Sequence, residues 1–343
     1  MGEIEDRDED PTAEWQSMVD FGESHEEFKE FSEALKAGGP PPSGPSELAK
    51  APLIIDTDIG GDPDDAVALA VAALTVPELA LVITSDEYNG QRARFARHFL
   101  DLLGRHDVPV VSGSDLGNTR YFCVDGLTPR EVPSQPTNVL SAVQSVCSTT
   151  AKAKARWVGI GPASNLSSLL SDEPGLVEQL AITQMGGALA YRDPSRAEHN
   201  FRLDPDAAIR LLRAVKRPTL VVSDITFNPA IEITIDSTIY RWLADSLNPP
   251  AWGRVLQQHM DRWFANFYPG TMQHDPLTLA AALQWPGVRF GRERVLLDDQ
   301  ARMSRSDDGV EIKMSISADY EDFMDWLANR LAQAQNVTSS DAS

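Results

Sequence analysis

Residues 53–69 read LIIDTDIGGDPDDAVAL, and this stretch decides the fold. An apolar run of strand character from Pro52 to Ile55 ends in an acidic loop that contains glycine. A helical pattern then starts at Asp64 and Asp65 and continues along apolar residues. The acidic loop therefore lies at the carboxyl end of a buried strand, which is where open α/β sheets bind their ligands.

The loop carries five carboxylates within ten residues: Asp56, Asp58, Asp62, Asp64 and Asp65. They repel one another unless a cation or protons neutralise them. Because no Cys or His lies nearby, a cation would be held by oxygen atoms alone, which indicates calcium or magnesium rather than zinc. Helix capping and the helix dipole would account for Asp64 and Asp65 only, and would leave the other three carboxylates without a role.

The composition excludes several classes of protein. A net charge of −21 leaves no basic face for nucleic acid or for an anionic membrane. The two cysteines, Cys123 and Cys147, do not make a disulfide framework and fit a reducing compartment. The N-terminus lacks the pattern of a signal peptide, and the longest apolar run, Ala66–Val76, is too short to span a bilayer. We therefore expect a cytoplasmic protein.

Three regions are expected along the chain. Residues 1–47 form an acidic extension with a Pro/Gly linker, residues 48–335 form the main domain, and residues 336–343 form a polar tail. Residues 1–24 are predicted to be disordered, because they are acidic and lack periodic apolar positions.

Within the main region, strand and helix patterns alternate after the acidic loop. This alternation predicts an α/β fold with a doubly wound, mostly parallel central sheet. The long segment Gly113–Pro136 has few periodic residues and is expected to cover a site. Near the end of the chain, Asp308-Gly309 is predicted to form a hairpin turn.

Four later motifs lie at predicted strand or helix boundaries: GPASNL at 161–166, MGG at 185–187, RAEHNFRLDPDAA at 196–208 and QHDPL at 273–277. Glu198 and Asn200 are expected to alternate along an extended segment, so that both point at one ligand. A carboxylate and an amide together satisfy the vicinal hydroxyls of a sugar. Asp204 and Pro205 are expected to start the next helix.

In this order, the acidic loop and the four motifs resemble the signature segments of the inosine-uridine preferring nucleoside hydrolase family. The family's first motif usually reads Asp-x-Asp-Pro-Gly-x-Asp-Asp-Ala, and here the loop is two residues longer. The resemblance covers residues 52–283 and implies a nucleoside hydrolase-like fold with one catalytic domain. It further implies calcium-dependent hydrolysis of the N-glycosidic bond of a ribonucleoside, or related N-riboside, to ribose and base. A place in purine or pyrimidine salvage and a homodimer or homotetramer follow by the same analogy.

The resemblance also implies roles for individual residues. The ligands of Ca²⁺ would be the side chains of Asp58, Asp65 and Asp275 and the backbone carbonyl of Ser164. Asp58 would act as the base, and His274 would protonate the leaving base, a role that suits the ordinary pKa of histidine. Further contacts with the substrate are expected from a larger group of residues: Asp64, Asn89, Phe122, Met185, Arg192, Glu198 and Asn200.

Two departures from the family bear on the substrate. Arg192 stands where the family usually has a ribose-binding Asn, and it invites an anionic group such as phosphate or carboxylate, or pairs with a local acid. Phe122 lies in the long loop, where it is able to stack on a base.

Two alternatives to a nucleoside hydrolase stay open at this level. The apolar run followed by Asp56-Thr57-Asp58 also resembles the motif of haloacid-dehalogenase-type phosphatases, with Asp56 as nucleophile and magnesium as cofactor. The second alternative is a non-catalytic member of the same fold that binds a nucleoside or sugar.

Overall fold

The computed structural model describes residues 11–25, 28–29, 32–33, 36, 48–150 and 154–333. The chain divides into two compact units, Met1–Lys50 and Ala51–Ser343. The Pro/Gly linker and the polar tail expected from the sequence lie outside the described residues.

The smaller unit contains a helix, α1, over Pro11–Ser24. The prediction of disorder is therefore wrong for these residues. Val19 is buried, and its carbonyl oxygen accepts a hydrogen bond of 3.1 Å from the Ser32 hydroxyl. The buried side chain of Val19 and this hydrogen bond indicate that tertiary contacts within the smaller unit stabilise the helix, and such contacts leave no pattern in the sequence.

The described residues of the larger unit contain eleven strands, which are spread along most of its sequence. In chain order they are β1 (Leu53–Thr57), β2 (Leu79–Thr84), β3 (Val110–Ser112), β4 (Ala155–Gly159), β5 (Leu180–Met185), β6 (Thr219–Val221), β7 (Glu232–Thr234), β8 (Gly270–Met272), β9 (Val288–Leu297), β10 (Met303–Arg305) and β11 (Val310–Ala318).

Helices connect most of these strands. They are α2 (Asp64–Thr75), α3 (Gln91–Leu102), α4 (Val139–Ser148), α5 (Ser164–Asp172), α6 (Pro174–Val177), α7 (His199–Leu203), α8 (Pro205–Ala214), α9 (Ser223–Thr226), α10 (Thr238–Asp245), α11 (Ala251–Asn266), α12 (His274–Ala282) and α13 (Tyr320–Ala332). None of the helices in the described ranges has the length and hydropathy of a membrane-spanning segment.

In the described part of the chain, nine strands form one sheet in the order β10-β9-β11-β6-β5-β4-β1-β2-β3. The strands from β11 to β3 in this order are parallel, and β9 and β10 add an antiparallel edge. The predicted doubly wound, mostly parallel sheet is therefore confirmed. Strand order reverses between β1 and β4, so the crevice at their carboxyl ends is the expected place for a ligand.

Side chains of β1 alternate between the two faces of the sheet. Leu53 and Ile55 belong to one cluster of buried apolar residues, and Ile54 belongs to a second cluster. Almost every position of α2 is buried, because this helix also contacts α12 and α13. The tight packing of α2 fixes the two aspartates of its first turn at the end of β1.

The prediction of a hairpin turn at Asp308-Gly309 is wrong. Both β10 and β11 pair with β9, on opposite sides of it, so residues 306–309 carry the chain across this strand. A Cβ atom on Gly309 would lie 2.5 Å from the carbonyl oxygen of Val295. Glycine is needed here because the chain passes directly against the backbone of β9.

Candidate active site

The acidic loop between β1 and α2 is held by contacts with distant parts of the chain. Gly60 has a φ of +106°, and a Cβ there would lie 2.9 Å from Val124. Its carbonyl accepts a hydrogen bond of 2.8 Å from the backbone N–H of Cys123. The carbonyl of Gly61 accepts from His259 Nε2 at 2.9 Å. The two extra residues of the loop thus lie in a segment that is tied to residues 113–136 and to α11.

Three buried carboxylates lie together at the end of this loop. Asp64, Asp65 and Asp275 each offer a ligand oxygen, and these atoms lie within 4.8 Å of one another. Burial raises the pKa of all three carboxyls well above the usual range, and the neighbouring aspartates raise it further. A cation fits this cluster, because it would replace the lost hydration and cancel the mutual repulsion.

Asp58 and Asp62 face the same cavity without belonging to this cluster. Burial raises the pKa of Asp58, and the Arg92 guanidinium opposes that shift. The Asp62 carboxylate accepts a hydrogen bond from the Thr271 hydroxyl, and burial raises its pKa to about 8. Of the predicted ligands, Asp65 and Asp275 thus lie in the cluster together with Asp64, and Asp58 faces the cavity beside it.

The cavity has a volume of about 500 Å³ and opens at the carboxyl ends of the parallel strands. Most of the site residues expected from the sequence lie around it: Asp58, Asp64, Asp65, Met185, Arg192, Glu198, Asn200, His274 and Asp275. Residues separated by more than two hundred positions in the chain thus form one site.

Glu198 and Asn200 reach the cavity by a different local structure from the one expected. The prediction of an extended segment is wrong, because α7 starts at His199 with Glu198 as its N-cap. The Glu198 carboxylate accepts hydrogen bonds from the N–H groups of Asn200 at 3.0 Å and of Gly187 at 3.1 Å. Asn200 Nδ2 donates to the carbonyl oxygen of Ile160 at 3.0 Å. These bonds hold both side chains in fixed positions on the cavity wall.

His274 is the first residue of α12 and lies on the wall next to the acidic cluster. Its Nδ1 is 2.7 Å from the Thr226 hydroxyl, and its ring stacks on Phe227 at 6.3 Å. Burial and the nearby Arg192 lower the pKa of His274 to about 3. The lowered pKa favours the neutral ring near pH 7, in which His274 interacts as a hydrogen-bonding group.

Three residues expected at the site lie outside the cavity. Asn89 has a left-handed backbone, and its N–H donates to Asp115 at 3.3 Å. Phe122 stacks on Tyr88 at 4.6 Å and packs against the apolar core. The carbonyl oxygen of Ser164, expected as a metal ligand, accepts a hydrogen bond of 3.1 Å from the hydroxyl of Ser168, one turn further along α5.

The phosphatase alternative depends on Asp56 as an accessible nucleophile. Asp56 is 1% exposed, lies outside the cavity and accepts a hydrogen bond of 2.8 Å from Asn165 Nδ2. Burial raises the pKa of its carboxyl to about 8. This geometry gives Asp56 a structural role beneath the site, and it cannot attack a substrate.

Sequence reasoning missed much of the cavity wall. Aromatic and arginine side chains surround the opening: Arg120, Tyr121, Tyr191, Arg196, Arg202, Phe227, Trp263 and Tyr268. Segment 113–136 contributes Asn118, Arg120 and Tyr121, in agreement with its expected position over a site. Tyr121, rather than the neighbouring Phe122, faces the cavity. No periodic pattern in the loop could have distinguished the two.

The buried side chain of His259, which lies beneath the acidic loop, makes the stability of the folded protein depend on pH. His259 is fully buried, and burial lowers the pKa of its ring to about 4. The unfolded chain therefore binds this proton at higher pH, and stability falls as the pH drops from about 6.5 to 4. We expect wild type to lose about 3 kcal/mol more than His259→Gln over this range, as measured by urea unfolding at each pH. Parallel pH curves for the two proteins would contradict this expectation.

Three comparisons place the chain among known proteins. Residues 53–329 match the model of the inosine-uridine preferring nucleoside hydrolase family. The pyrimidine-specific ribonucleoside hydrolase RihA of Escherichia coli O81 (strain ED1a) is 27% identical over 314 residues, which cover 82% of this chain and 98% of the relative.

Solved structures agree with this match. The inosine-uridine preferring nucleoside hydrolase from Bacillus anthracis has a TM-score of 0.67 at 20% identity, with 83% of this chain and 99% of that chain covered. The type III effector protein XopQ, solved with adenosine diphosphate ribose, has a TM-score of 0.62 at 19% identity, with 84% and 96% covered. The match over residues 53–329, on a sheet that brings the acidic loop to Asp275, shows that the chain belongs to the inosine-uridine preferring nucleoside hydrolases, a family of N-glycosyl hydrolases.

Proposed function

We propose that this protein hydrolyses the N-glycosidic bond of a ribonucleoside, or a related N-riboside, in a calcium-dependent reaction that yields ribose and free base. The observation that carries the proposal is the cluster of Asp64, Asp65 and Asp275 at the point where the strand order reverses. Its position inside a cavity with aromatic walls suits a ligand that has a polyhydroxylated sugar at one end and a flat base at the other.

The cluster fits calcium by its donor chemistry. All three side chains offer carboxylate oxygen, and Asp58 and Asp62 face the same cavity. Hard cations with flexible coordination prefer such oxygen-only sites. When bound, the cation would orient the ribose hydroxyls and lower the pKa of a water molecule beside them.

The reaction breaks the bond between C1′ and the base nitrogen and forms a bond between C1′ and the water oxygen. Asp58 takes the proton from this water as the general base. Positive charge develops on the sugar in the oxocarbenium-like transition state, and the surrounding carboxylates stabilise it. Asp64 binds the water or a ribose hydroxyl, while Met185, Glu198 and Asn200 form the wall beside the sugar.

His274 acts on the leaving base as a hydrogen-bond donor. If the Thr226 hydroxyl donates to Nδ1, the neutral ring carries its proton on Nε2. That N–H stabilises the negative charge that develops on the departing nitrogen; the released base takes up a proton from solvent, and Asp58 returns its proton to solvent. The neutral form is the one that the lowered pKa of His274 favours.

The proposal is tested by release of reducing sugar from uridine, cytidine, inosine and adenosine. The panel includes nucleoside phosphates and adenosine diphosphate ribose, because XopQ was solved with the latter. We expect ribose release with calcium, loss of all release after chelation, and recovery when calcium is added back; magnesium is the matched cation control. Release of inorganic phosphate instead of sugar would indicate a phosphatase, and binding without release would indicate a non-catalytic member.

The cytoplasmic location and the homodimer or homotetramer remain proposals. Both cysteines are free and buried, which supports a reducing compartment. The oligomeric state is proposed by analogy with the family alone, and size-exclusion chromatography with light scattering would measure it.

A further inference from the structure

We propose that the mouth of the cavity binds the phosphate of a phosphorylated ribonucleoside, so that the preferred substrate is a nucleotide rather than a bare nucleoside. This inference rests on the proposed hydrolase function. It is carried by the arginine rim, which we define as Arg120, Arg192 and Arg196, all exposed and all on the cavity wall.

The guanidinium groups of the rim are unpaired, despite the excess of acidic residues in the chain. Within the ranges that the structure describes, none of the three donates a hydrogen bond or lies within 4.0 Å of a carboxylate. The chain has 51 acidic and 30 basic side chains, so an arginine in such a protein would readily find a partner. Arg196 acts at longer range on Asp193 of the cavity wall, whose pKa is lowered mainly by hydrogen bonds from Ser195. Three cations around one opening without a close acidic partner indicate that their partner is a ligand.

Two other arginines of the cavity wall, Arg92 and Arg202, differ from the rim because their guanidinium groups have partners within the protein. Arg92 is 1% exposed, lies 3.5 Å from the Asp86 carboxylate and donates to backbone carbonyls of the acidic loop. Arg202 donates to the carbonyl oxygen of Ala197 at 2.7 Å. Both guanidinium groups serve the protein structure, whereas those of the arginine rim do not.

Two of the three rim arginines, Arg120 and Arg192, lie against aromatic faces. The Arg192 guanidinium lies 4.7 Å from the centre of the Phe227 ring and 5.1 Å from that of Tyr191. Arg120 lies 4.8 Å from the ring centre of Tyr121. Stacking fixes the plane of a guanidinium and leaves the N–H donors along its edge free. This is the arrangement that binds the oxygen atoms of phosphate in a bidentate manner.

The rim is close to the proposed sugar site. The Phe227 ring contacts both Arg192 and His274, and His274 directly precedes Asp275. The rim also acts on the cavity interior. Burial lowers the pKa of the His199 ring to about 4, and Arg202, Arg192 and Arg196 lower it further. The cavity therefore has an acidic floor and a basic mouth. A ligand with its ribose at the floor extends its phosphate towards the mouth, and the floor repels the phosphate from the opposite orientation.

The test compares uridine with uridine 5′-monophosphate and 5′-diphosphate, and inosine with its 5′-monophosphate, in calcium. We expect kcat/KM to favour the phosphorylated member of each pair by at least about tenfold, mainly through a lower KM. Arg192→Gln and the double variant Arg120→Gln/Arg196→Gln are each expected to reduce this preference by about tenfold. Arg289→Gln, an exposed arginine of β9 away from the cavity, is the matched control and is expected to keep the preference.

A binding measurement separates this inference from the proposed function. Ribose 5-phosphate is expected to bind at least about tenfold more tightly than ribose to wild type in titration calorimetry, and the difference is expected to shrink in Arg192→Gln. Nucleoside hydrolysis without any preference for phosphate would overturn the inference and leave the hydrolase function standing. If neither substrate class is hydrolysed, the hydrolase function fails, and equal binding of the two sugars would then overturn the phosphate site as well.

Discussion

Replacing Asp275 with asparagine is expected to remove hydrolysis almost completely, with a loss of about 10³-fold or more in kcat/KM. The Asp275 carboxylate is one of three buried carboxylates within 4.8 Å of one another, and the amide would leave two charged ligands for the cation. The same change is expected to raise the Tm of the metal-free protein. Burial and the neighbouring aspartates disfavour the charged form of Asp275, so a neutral amide relieves a cost of folding.

Thermal unfolding in chelator and in saturating calcium measures this effect without reference to activity. Wild type is expected to gain about 5 °C or more in calcium, and Asp275→Asn is expected to gain almost nothing. Asp319→Asn is the matched control, because Asp319 is exposed and its carboxylate caps α13 through the N–H of Asp322. If Asp275→Asn kept both the activity and the calcium-induced rise in Tm, the cluster would not be the cation site.

The sequence predicted the fold because its signals are local and repeated. The apolar run of β1 and the apolar helix after it can be recognised without any tertiary information, and so can the alternation of strands and helices that follows. Asp204 caps α8 with Pro205 at its first position, as expected. The convergence of residues 58–65 with residues 273–277 was implied by the resemblance to the family and not by sheet topology, because residues 273–277 follow β8, which pairs with β7 outside the main sheet.

Details that depend on irregular backbone could not be predicted in this way. Glu198 and Asn200 lie at a helix start rather than in a strand, because the Glu198 carboxylate caps the N–H groups of Asn200 and Phe201. The N–H of Gly187, eleven residues earlier, also binds this carboxylate. In segment 113–136, the contact of Phe122 with Tyr88 and Gly60 leaves Tyr121 to face the cavity. Side-chain direction in such loops follows from tertiary contacts that have no period in the sequence.

The arginine rim also could not be predicted from patterns in the sequence. Its members come from the loop of residues 113–136 and from the segment between β5 and α7, and only their convergence makes a basic patch in an acidic protein. Arg192 alone was ambiguous in the sequence between a substrate contact and an ion pair. The structure shows it stacked on aromatic rings and without a carboxylate within 4.0 Å among the described residues.

Asp58→Asn distinguishes a base from a metal ligand. In the structure Asp58 faces the cavity but lies outside the cluster of Asp64, Asp65 and Asp275. We therefore expect kcat to fall by about 10²- to 10⁴-fold, the usual contribution of a positioned general base. The calcium-induced rise in Tm is expected to persist, because the three clustered carboxylates are unchanged.

Two contacts indicate that Asp58→Asn keeps the local fold. The backbone carbonyl of Asp58 accepts a hydrogen bond from the buried Arg92 guanidinium, so the loop is held through its main chain. A Cβ on Gly161 would lie 2.8 Å from Asp58 Oδ1, so the side chain fits closely between the ends of β1 and β4, and an amide of equal size occupies the same space. Unfolding in chelator checks this directly. Loss of the calcium-induced rise in Asp58→Asn would instead place Asp58 among the ligands, as the resemblance to the family implies, and the base would have to be sought among the remaining carboxylates of the cavity.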